Sequence, residues 1–447
     1  MRVPNPPKVL IISYLFPPIG GIGVQRALSL AKYLPQSGWE VHVLKATNAG
    51  GPVIDPDLVK QIPASVRVHT AITPEIPFAF RQKLWARLNK PTSGAAGQPS
   101  KRTPWIPWRR MLSNTVKRIL SPEPEILWKP FAVLKASRII HRHKIDVVVI
   151  TVPPFSALTV GVALKRRFPE LKVVSDFRDE WLSFYLKDFE FQNSSYARRR
   201  AEEIERAAVE NSDLVVAVTP TSLAEIRKRY PGESDHKFFC LPNGYDPEVF
   251  AGFEHRQRLD ADILIAHLGT VYGTASPRYY LDALEALPDE IGSRIRTRFV
   301  GRVSDNERAV LESRKARLEI LGFMPQAEAL RQVEDADYLL LNMSNDISLP
   351  GKLFEYLAIG KPILAITPRN GEVNRLLEAT GAGLCADPDD REGIKALLTG
   401  ACSAKSGSLT PVKPNPDAIR RYERPRLTAE YATILSDLLH PSPGPPR

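Results

Sequence analysis

Short apolar runs alternate with stretches of helical spacing along most of the chain. Val9–Tyr14 is a short apolar run of the kind buried in a parallel sheet. The turn Phe16-Pro-Pro-Ile-Gly-Gly-Ile-Gly23 follows. Val24, Ala27, Leu28, Ala31 and Leu34 then recur at the spacing of one helix face, and Gly38 ends that helix before a second run, Glu40–Leu44. The alternation resumes with strands predicted at Ile145–Thr151, Val173–Asp176, Leu214–Val218 and Phe238–Leu241. Helices are predicted at Phe155–Phe168, about Ser195 to Asn211, and Ser222–Tyr230. A second alternating series has strands at Ile263–Leu268, Arg296–Val300, Leu318–Ile320, Tyr338–Leu341 and Pro362–Ala365. A last helix, Pro425–Leu439, precedes a proline-rich tail expected to be disordered. The most apolar stretch, Ile145 to Leu164, contains Asp146 and Pro153-Pro154. It reads as a strand running into a helix, not as a membrane span. Strands that alternate with helices predict parallel sheets covered on both faces.

A length of 447 residues fits two or three domains. The polar stretch 251–260 divides the two series. The expected organisation is therefore an α/β chain of two tandem Rossmann-like, doubly wound domains, 1–250 and 251–424. A helix at 425–440 returns to the first domain, and 441–447 forms a tail. Ligands of such folds bind at the carboxyl edge of the strands, so the cleft between the domains is the expected site. Cys240, Cys385 and Cys402 are too few and too scattered for a disulfide framework or a cysteine zinc site. They suit a reducing cytoplasmic compartment. Met1 is followed by Arg2 and a proline-rich stretch, so no secretory signal is expected.

The net charge of +11 is local. Residues 81–143 hold 14 basic and two acidic residues, Glu123 and Glu125, which leaves −1 on the rest of the chain. Trp85, Trp105, Trp108 and Trp128, four of the six tryptophans, lie in the same segment, whose core at about 81–130 reads as an insertion. Lys and Arg interleaved with Trp suit an anionic membrane surface. A solvated loop anchored by a few Trp, or a nucleic-acid patch, would share that composition; no nucleic-acid partner is expected.

Five turns carry candidate chemistry. Gly20-Gly21-Ile22-Gly23 lets backbone approach a ligand at a helix N-terminus, yet lacks the third glycine of a dinucleotide fingerprint. Leu349-Pro-Gly-Lys-Leu-Phe-Glu-Tyr-Leu-Ala358 starts a helix after a strand, with Pro350 at its first turn. The N–H groups of Gly351 and Lys352, with the Lys352 ammonium, make a phosphate cradle, and Glu355 one turn on can accept from vicinal hydroxyls. In Ser175-Asp-Phe-Arg-Asp-Glu-Trp181, Asp176 or Asp179 could bind a hydroxyl-bearing acceptor or act as a base; an ion pair with Arg178 that fixes the loop is the competing reading. Ser156, after Pro153-Pro154, is a candidate helix cap. Gly269-Thr270-Val-Tyr-Gly-Thr274 is a further small-residue turn, with Arg278 close enough to reach a phosphate.

These phrases resemble recurring patterns of the family 4 glycosyltransferases of GT-B fold. Phe16-Pro-Pro-x-Gly-Gly, Asp176-Phe-Arg-Asp-x-Trp, Pro242-Asn-Gly-Tyr-Asp and Pro350-Gly-Lys-Leu-Phe-Glu-Tyr-Leu-Ala-x-Gly-Lys-Pro carry the resemblance, which spans roughly 8–80 and 131–440. It implies a retaining hexosyl transfer from a nucleotide-diphosphate sugar to a glycan or lipid-linked glycan, in cell-surface polysaccharide or glycolipid synthesis. It implies that Gly20-Gly21 and Pro350–Leu353 approach the donor phosphates and that Glu355 holds the ribose. No cofactor and no metal are implied, since helix N-termini and basic side chains neutralise the leaving diphosphate. Asp260-Ala-Asp262 has the spacing of a metal motif but sits at a strand start. The family's first motif glutamate falls at Ile347 here, with Asp346 as the nearest carboxylate. The family's usual Arg and Lys pair after the first strand of the second domain is also absent, leaving Arg278 as the substitute. The chain is thus expected to be a cytoplasmic enzyme, peripheral on the inner face of the membrane. A non-catalytic nucleotide-binding scaffold and a nucleotide-sugar epimerase are the alternatives.

Overall fold

A computed structural model describes residues 6–50, 54–74, 118–185, 194–256, 258, 261–410 and 412–440. The chain forms two compact units. One comprises residues 1–218, 222–241 and 428–447, and the other 219–221 and 242–427. The helix Arg424–Leu439 therefore begins in the second unit and continues in the first.

In the first unit, seven parallel strands run in the order β3-β2-β1-β4-β5-β6-β7. They are β1 (Lys8–Ser13), β2 (Glu40–Ala46), β3 (Arg67–Ala71), β4 (Val147–Val152), β5 (Lys172–Phe177), β6 (Leu214–Ala217) and β7 (Phe238–Cys240). The register pairs Val9 with Val41 and Val147, and Asp176 with Thr151 and Val216. Every residue of β4 is buried, which explains its unbroken valine and isoleucine run. Strand order reverses between β1 and β4, so the turn after β1 and the Pro153-Pro154 turn open side by side.

The second unit holds six parallel strands in the order β10-β9-β8-β11-β12-β13. These are β8 (Ile263–Leu268), β9 (Ile295–Val300), β10 (Arg317–Gly322), β11 (Tyr338–Asn342), β12 (Ile363–Ile366) and β13 (Gly383–Ala386). The reversal falls between β8 and β11. Both sheets carry apolar clusters against their flanking helices. Each is a Rossmann-like layer, as the alternating pattern predicts. No helix among the described residues is long and apolar enough to cross a membrane.

Two expectations change here. The helix Lys129–His143 occupies the end of the basic segment 81–143, where no element is predicted, and it packs through Ala132, Ala136, Ser137, Ile139 and Ile140. Trp128, just before it, is a core residue. It is 1% exposed, donates from Nε1 to the Ala71 carbonyl at 3.2 Å, and meets Tyr14 edge-on at 5.2 Å. It is not available to a membrane. Trp85, Trp105 and Trp108, with the segment to residue 117, lie outside the described residues.

Candidate active site

In the second unit the chemistry gathers where β8 and β11 end. The helix Gly351–Ile359 starts there, with Pro350 extended at its N-cap and not in the first turn. Tyr356 locks it in place. Its buried hydroxyl accepts from the Leu268 amide at 2.8 Å and lies 3.1 Å from the Leu340 carbonyl, so one side chain ties the helix to both strands. That fixes Lys352, one turn earlier. Its Nζ donates to His267 Nε2 at 3.2 Å and reaches the Thr270 carbonyl at 3.4 Å.

His267 is fully buried on β8. Its Nδ1 lies 3.0 Å from the Leu340 carbonyl, which can only accept, so Nδ1 carries the proton and Nε2 is a bare acceptor for the ammonium. Burial, reinforced by Lys352, holds the imidazole well below its ordinary pKa. Burial also brings Lys352 down from its usual range to about 8, although the Glu355 carboxylate pulls the other way. The ammonium thus has a neutral partner and, among the described residues, no counter-ion at hydrogen-bonding distance. It stands beside the unpaired N–H groups of a helix N-terminus, an arrangement that favours an arriving anion.

Two glycines make room for it. Gly269 has φ +124°, and a Cβ there would lie 3.5 Å from Lys352 Cε. At Gly301, with φ +139°, a Cβ would strike the Gly269 carbonyl oxygen at 2.2 Å. Glu355 is partly buried and accepts from Gln326 Nε2 at 3.3 Å. Burial raises its pKa, while Arg424 and Lys352 oppose that shift. Gly269, Thr270, Pro350, Gly351, Lys352, Leu353 and Glu355 therefore belong to one neighbourhood. Arg278 pairs elsewhere, 3.6 Å from Glu307. Asp262 binds Arg317 at 2.9 Å, and Asp260 lies outside the described residues.

In the first unit the phrase Asp176-Phe-Arg-Asp-Glu sorts into supports and one remaining carboxylate. Asp176 is fully buried, and both its oxygens accept from Arg26, at 2.9 and 2.8 Å. Arg26 also donates to the Leu241 carbonyl at 3.0 Å. A carboxylate so paired holds the helix Ile22–Tyr33 in place. Arg178 donates to the carbonyls of Gly23, Val152 and Pro153, pinning the glycine turn to the end of β4. Glu180 takes Arg229 at 2.6 Å and the Ser183 amide at 2.7 Å. Asp179 is partly exposed and accepts no hydrogen bond from a described residue. Burial raises its pKa against the pull of Arg178. Of the three carboxylates in this phrase it is the one with no hydrogen-bond donor among the described residues.

The turn that Arg178 holds presents Gly21 with φ +90° as the N-cap of Ile22–Tyr33, without a side-chain cap. Gly20 is buried behind it. The predicted cap at Ser156 is not formed. The Glu123 carboxylate accepts from the Ser156 amide, and Ala157 occupies the N-cap of the helix Leu158–Arg167. Sequence reasoning missed His267 and Arg26 altogether. A lone polar residue inside an apolar strand, His267 in Ile263–Leu268, was the available signal for the first.

The chain is similar to several known proteins. Residues 94–249 match the model of Glycosyltransferase Family 4. A probable glycosyltransferase, WbjE of Pseudomonas aeruginosa, is 28% identical over 110 residues, which are 24% of this chain and 28% of that protein. Over its length the chain superposes on sucrose-phosphate synthase of Thermosynechococcus elongatus with a TM-score of 0.66 at 13% identity, covering 98% of this chain and all of that one. It also superposes on Alr3699/HepE of Anabaena, solved with UDP-glucose, with a TM-score of 0.58 at 14% identity, covering 96% and 99% of the two chains. The match at 94–249 is a likeness to the family 4 glycosyltransferases over about a third of the chain, and the two sheets share the two-domain GT-B fold of these solved structures.

Proposed function

We propose that this chain is a glycosyltransferase that moves a hexosyl group from a nucleoside-diphosphate sugar to a hydroxyl of a glycan or lipid-linked glycan, with retention and with no metal taking part in the transfer. The observation that carries the reading is Lys352, an ammonium held by a neutral imidazole at the N-terminus of Gly351–Ile359, where two parallel strands part. As the glycosidic bond to the diphosphate breaks, negative charge grows on the leaving oxygen. Lys352 and the N–H groups of Gly351 and Lys352 stabilise that charge from fixed positions. Glu355 accepts from the ribose hydroxyls, and the Gly20-Gly21 turn approaches the donor phosphates. Asp179 receives the acceptor hydroxyl. Asp176 positions the helix behind the glycine turn through Arg26. The complexes of the Anabaena protein with UDP and UDP-glucose make a uridine diphosphate sugar the first donor to test.

Cell-surface polysaccharide or glycolipid synthesis on the inner membrane face is part of the same proposal. Support comes from Phe131 and Leu134, exposed on the helix Lys129–His143 among Lys129, Arg138 and Arg142.

A thermal-shift panel of nucleoside diphosphates and their sugars, followed by turnover on lipid extracts, tests the assignment. Raised melting temperature with one nucleotide, and its loss in Lys352→Ala, is the expected result. Unchanged turnover in both Lys352→Ala and Glu355→Ala would overturn the site. Binding with no transfer would favour the scaffold reading, to which Ile347 in place of the first motif glutamate points. Vesicles test the membrane face: binding should require anionic lipid and fall with salt.

A further inference from the structure

The first sheet carries a second constellation at its opposite edge. Glu40 and His42 open β2, and Arg67 and His69 open β3. These are the amino ends of strands whose carboxyl ends lie towards the glycine turn. His143 ends the helix Lys129–His143 that covers this face. The three imidazoles converge. His42 Nδ1 is 3.0 Å from His69 Nε2, the rings of His42 and His143 are 4.5 Å apart, and one nitrogen from each histidine lies within 4.8 Å of the other two. His42 is buried, while His69 and His143 are partly exposed, so the cluster is open on one side.

We propose that His42, His69 and His143 bind one divalent late-transition-metal ion, zinc being the first choice. Three neutral imidazoles are a ligand set that zinc, copper(II) and nickel take readily. Zinc–nitrogen bonds of about 2.0 Å at the tetrahedral angle put ligand nitrogens about 3.3 Å apart, close to the His42–His69 separation. The orientation is prepared from behind. The Glu40 carboxylate accepts from His42 Nε2 at 3.1 Å, which places the proton there and leaves Nδ1 bare towards the other two rings. Carboxylate, imidazole and open centre in that order are the outer-shell arrangement of histidine metal sites.

Arg67 is the opposing element. Its guanidinium lies 3.1 Å from His143 Nδ1 and must swing outward when an ion enters, which its exposed position allows. A fourth position would be left to water. Bound metal would tie β2, β3 and the end of the helix together, away from the turns that carry the proposed transfer.

The test uses the full chain freed of metal by chelation and titrated with zinc sulfate, read by calorimetry and melting temperature. Cobalt(II) absorption serves as an independent report of coordination geometry. One zinc per chain with a raised melting temperature is expected. His69→Gln and His143→Ala should each weaken binding at least a hundredfold, and Glu40→Gln about tenfold to a hundredfold. Arg67→Gln should tighten it by removing the repelling charge. His143→Ala changes a partly exposed residue at a helix end, and its metal-free melting temperature checks that it folds. Equal zinc affinity and stoichiometry in the wild type, His69→Gln and His143→Ala would overturn the proposal, as would no binding at micromolar zinc.

Discussion

The lysine at the end of β8 and β11 should make nucleotide binding depend on pH in a specific way. Free Lys352 titrates at about 8 because burial penalises its charge. A diphosphate beside it restores the ordinary lysine range of about 10.4 or above, so binding above pH 8 takes up a proton. At pH 7 about nine-tenths of the free protein carries the ammonium; at pH 9 about one-tenth does. The dissociation constant for UDP should therefore be flat up to pH 7.5 and rise about tenfold by pH 9, a loss of about 1.4 kcal/mol. His267 stays neutral across this range, since its own pKa lies well below the usual value. Calorimetry at pH 9 in buffers of different ionisation enthalpy should report close to one proton taken up. Lys352→Met should bind more weakly at pH 7 and lose the rise, and it controls for titration of the nucleotide base. A wild-type affinity that stays level from pH 7 to pH 9, or a rise that persists unchanged in Lys352→Met, would refute the reasoning.

Other outcomes follow from the same geometry. Asp176→Asn leaves Arg26 charged and buried with half its partner, so a stability loss of about 3 kcal/mol is expected in denaturant titrations. Asp179→Asn should leave stability within about 0.5 kcal/mol while lowering kcat at least tenfold; a reversed pattern would move the acceptor role to Asp176. Glu355→Ala should raise KM for the donor about tenfold and leave the acceptor KM unchanged in steady-state kinetics. Gly244→Ala puts a Cβ 2.2 Å from the Tyr422 carbonyl oxygen, a backbone collision that should cost about 1–3 kcal/mol and lower the melting temperature by several degrees.

Most central strands were legible in the sequence because burial on both faces leaves an unbroken apolar signature, as in Val147–Val152 and Ile263–Leu268. The edge strands β3 and β13 were not. Arg67–Ala71 is largely polar and mostly exposed, and Gly383–Ala386 is four residues long and opens on glycine. Lys129–His143 was absorbed into the basic segment, because its packing face is largely small residues that carry little hydrophobic signal. The lysine cradle was readable as a local phrase, since Pro350, Gly351, Lys352 and Glu355 are neighbours in the chain. The sorting of Asp176 from Asp179 was not. It depends on Arg26, 150 positions away, and no spacing within the phrase reveals which carboxylate that arginine will occupy.

The bond from the Leu268 amide to the Tyr356 hydroxyl has a use in observing the protein at work. At the exit of β8 this amide is satisfied by a side chain of the helix that carries Lys352. Its hydrogen–deuterium exchange therefore reports the docking of that helix, where neighbouring β8 amides report the opening of the sheet. If the helix must rock for a product diphosphate to leave, Leu268 will exchange faster than Ile265 during turnover, and the gap will close when a non-reacting nucleotide holds the lysine still.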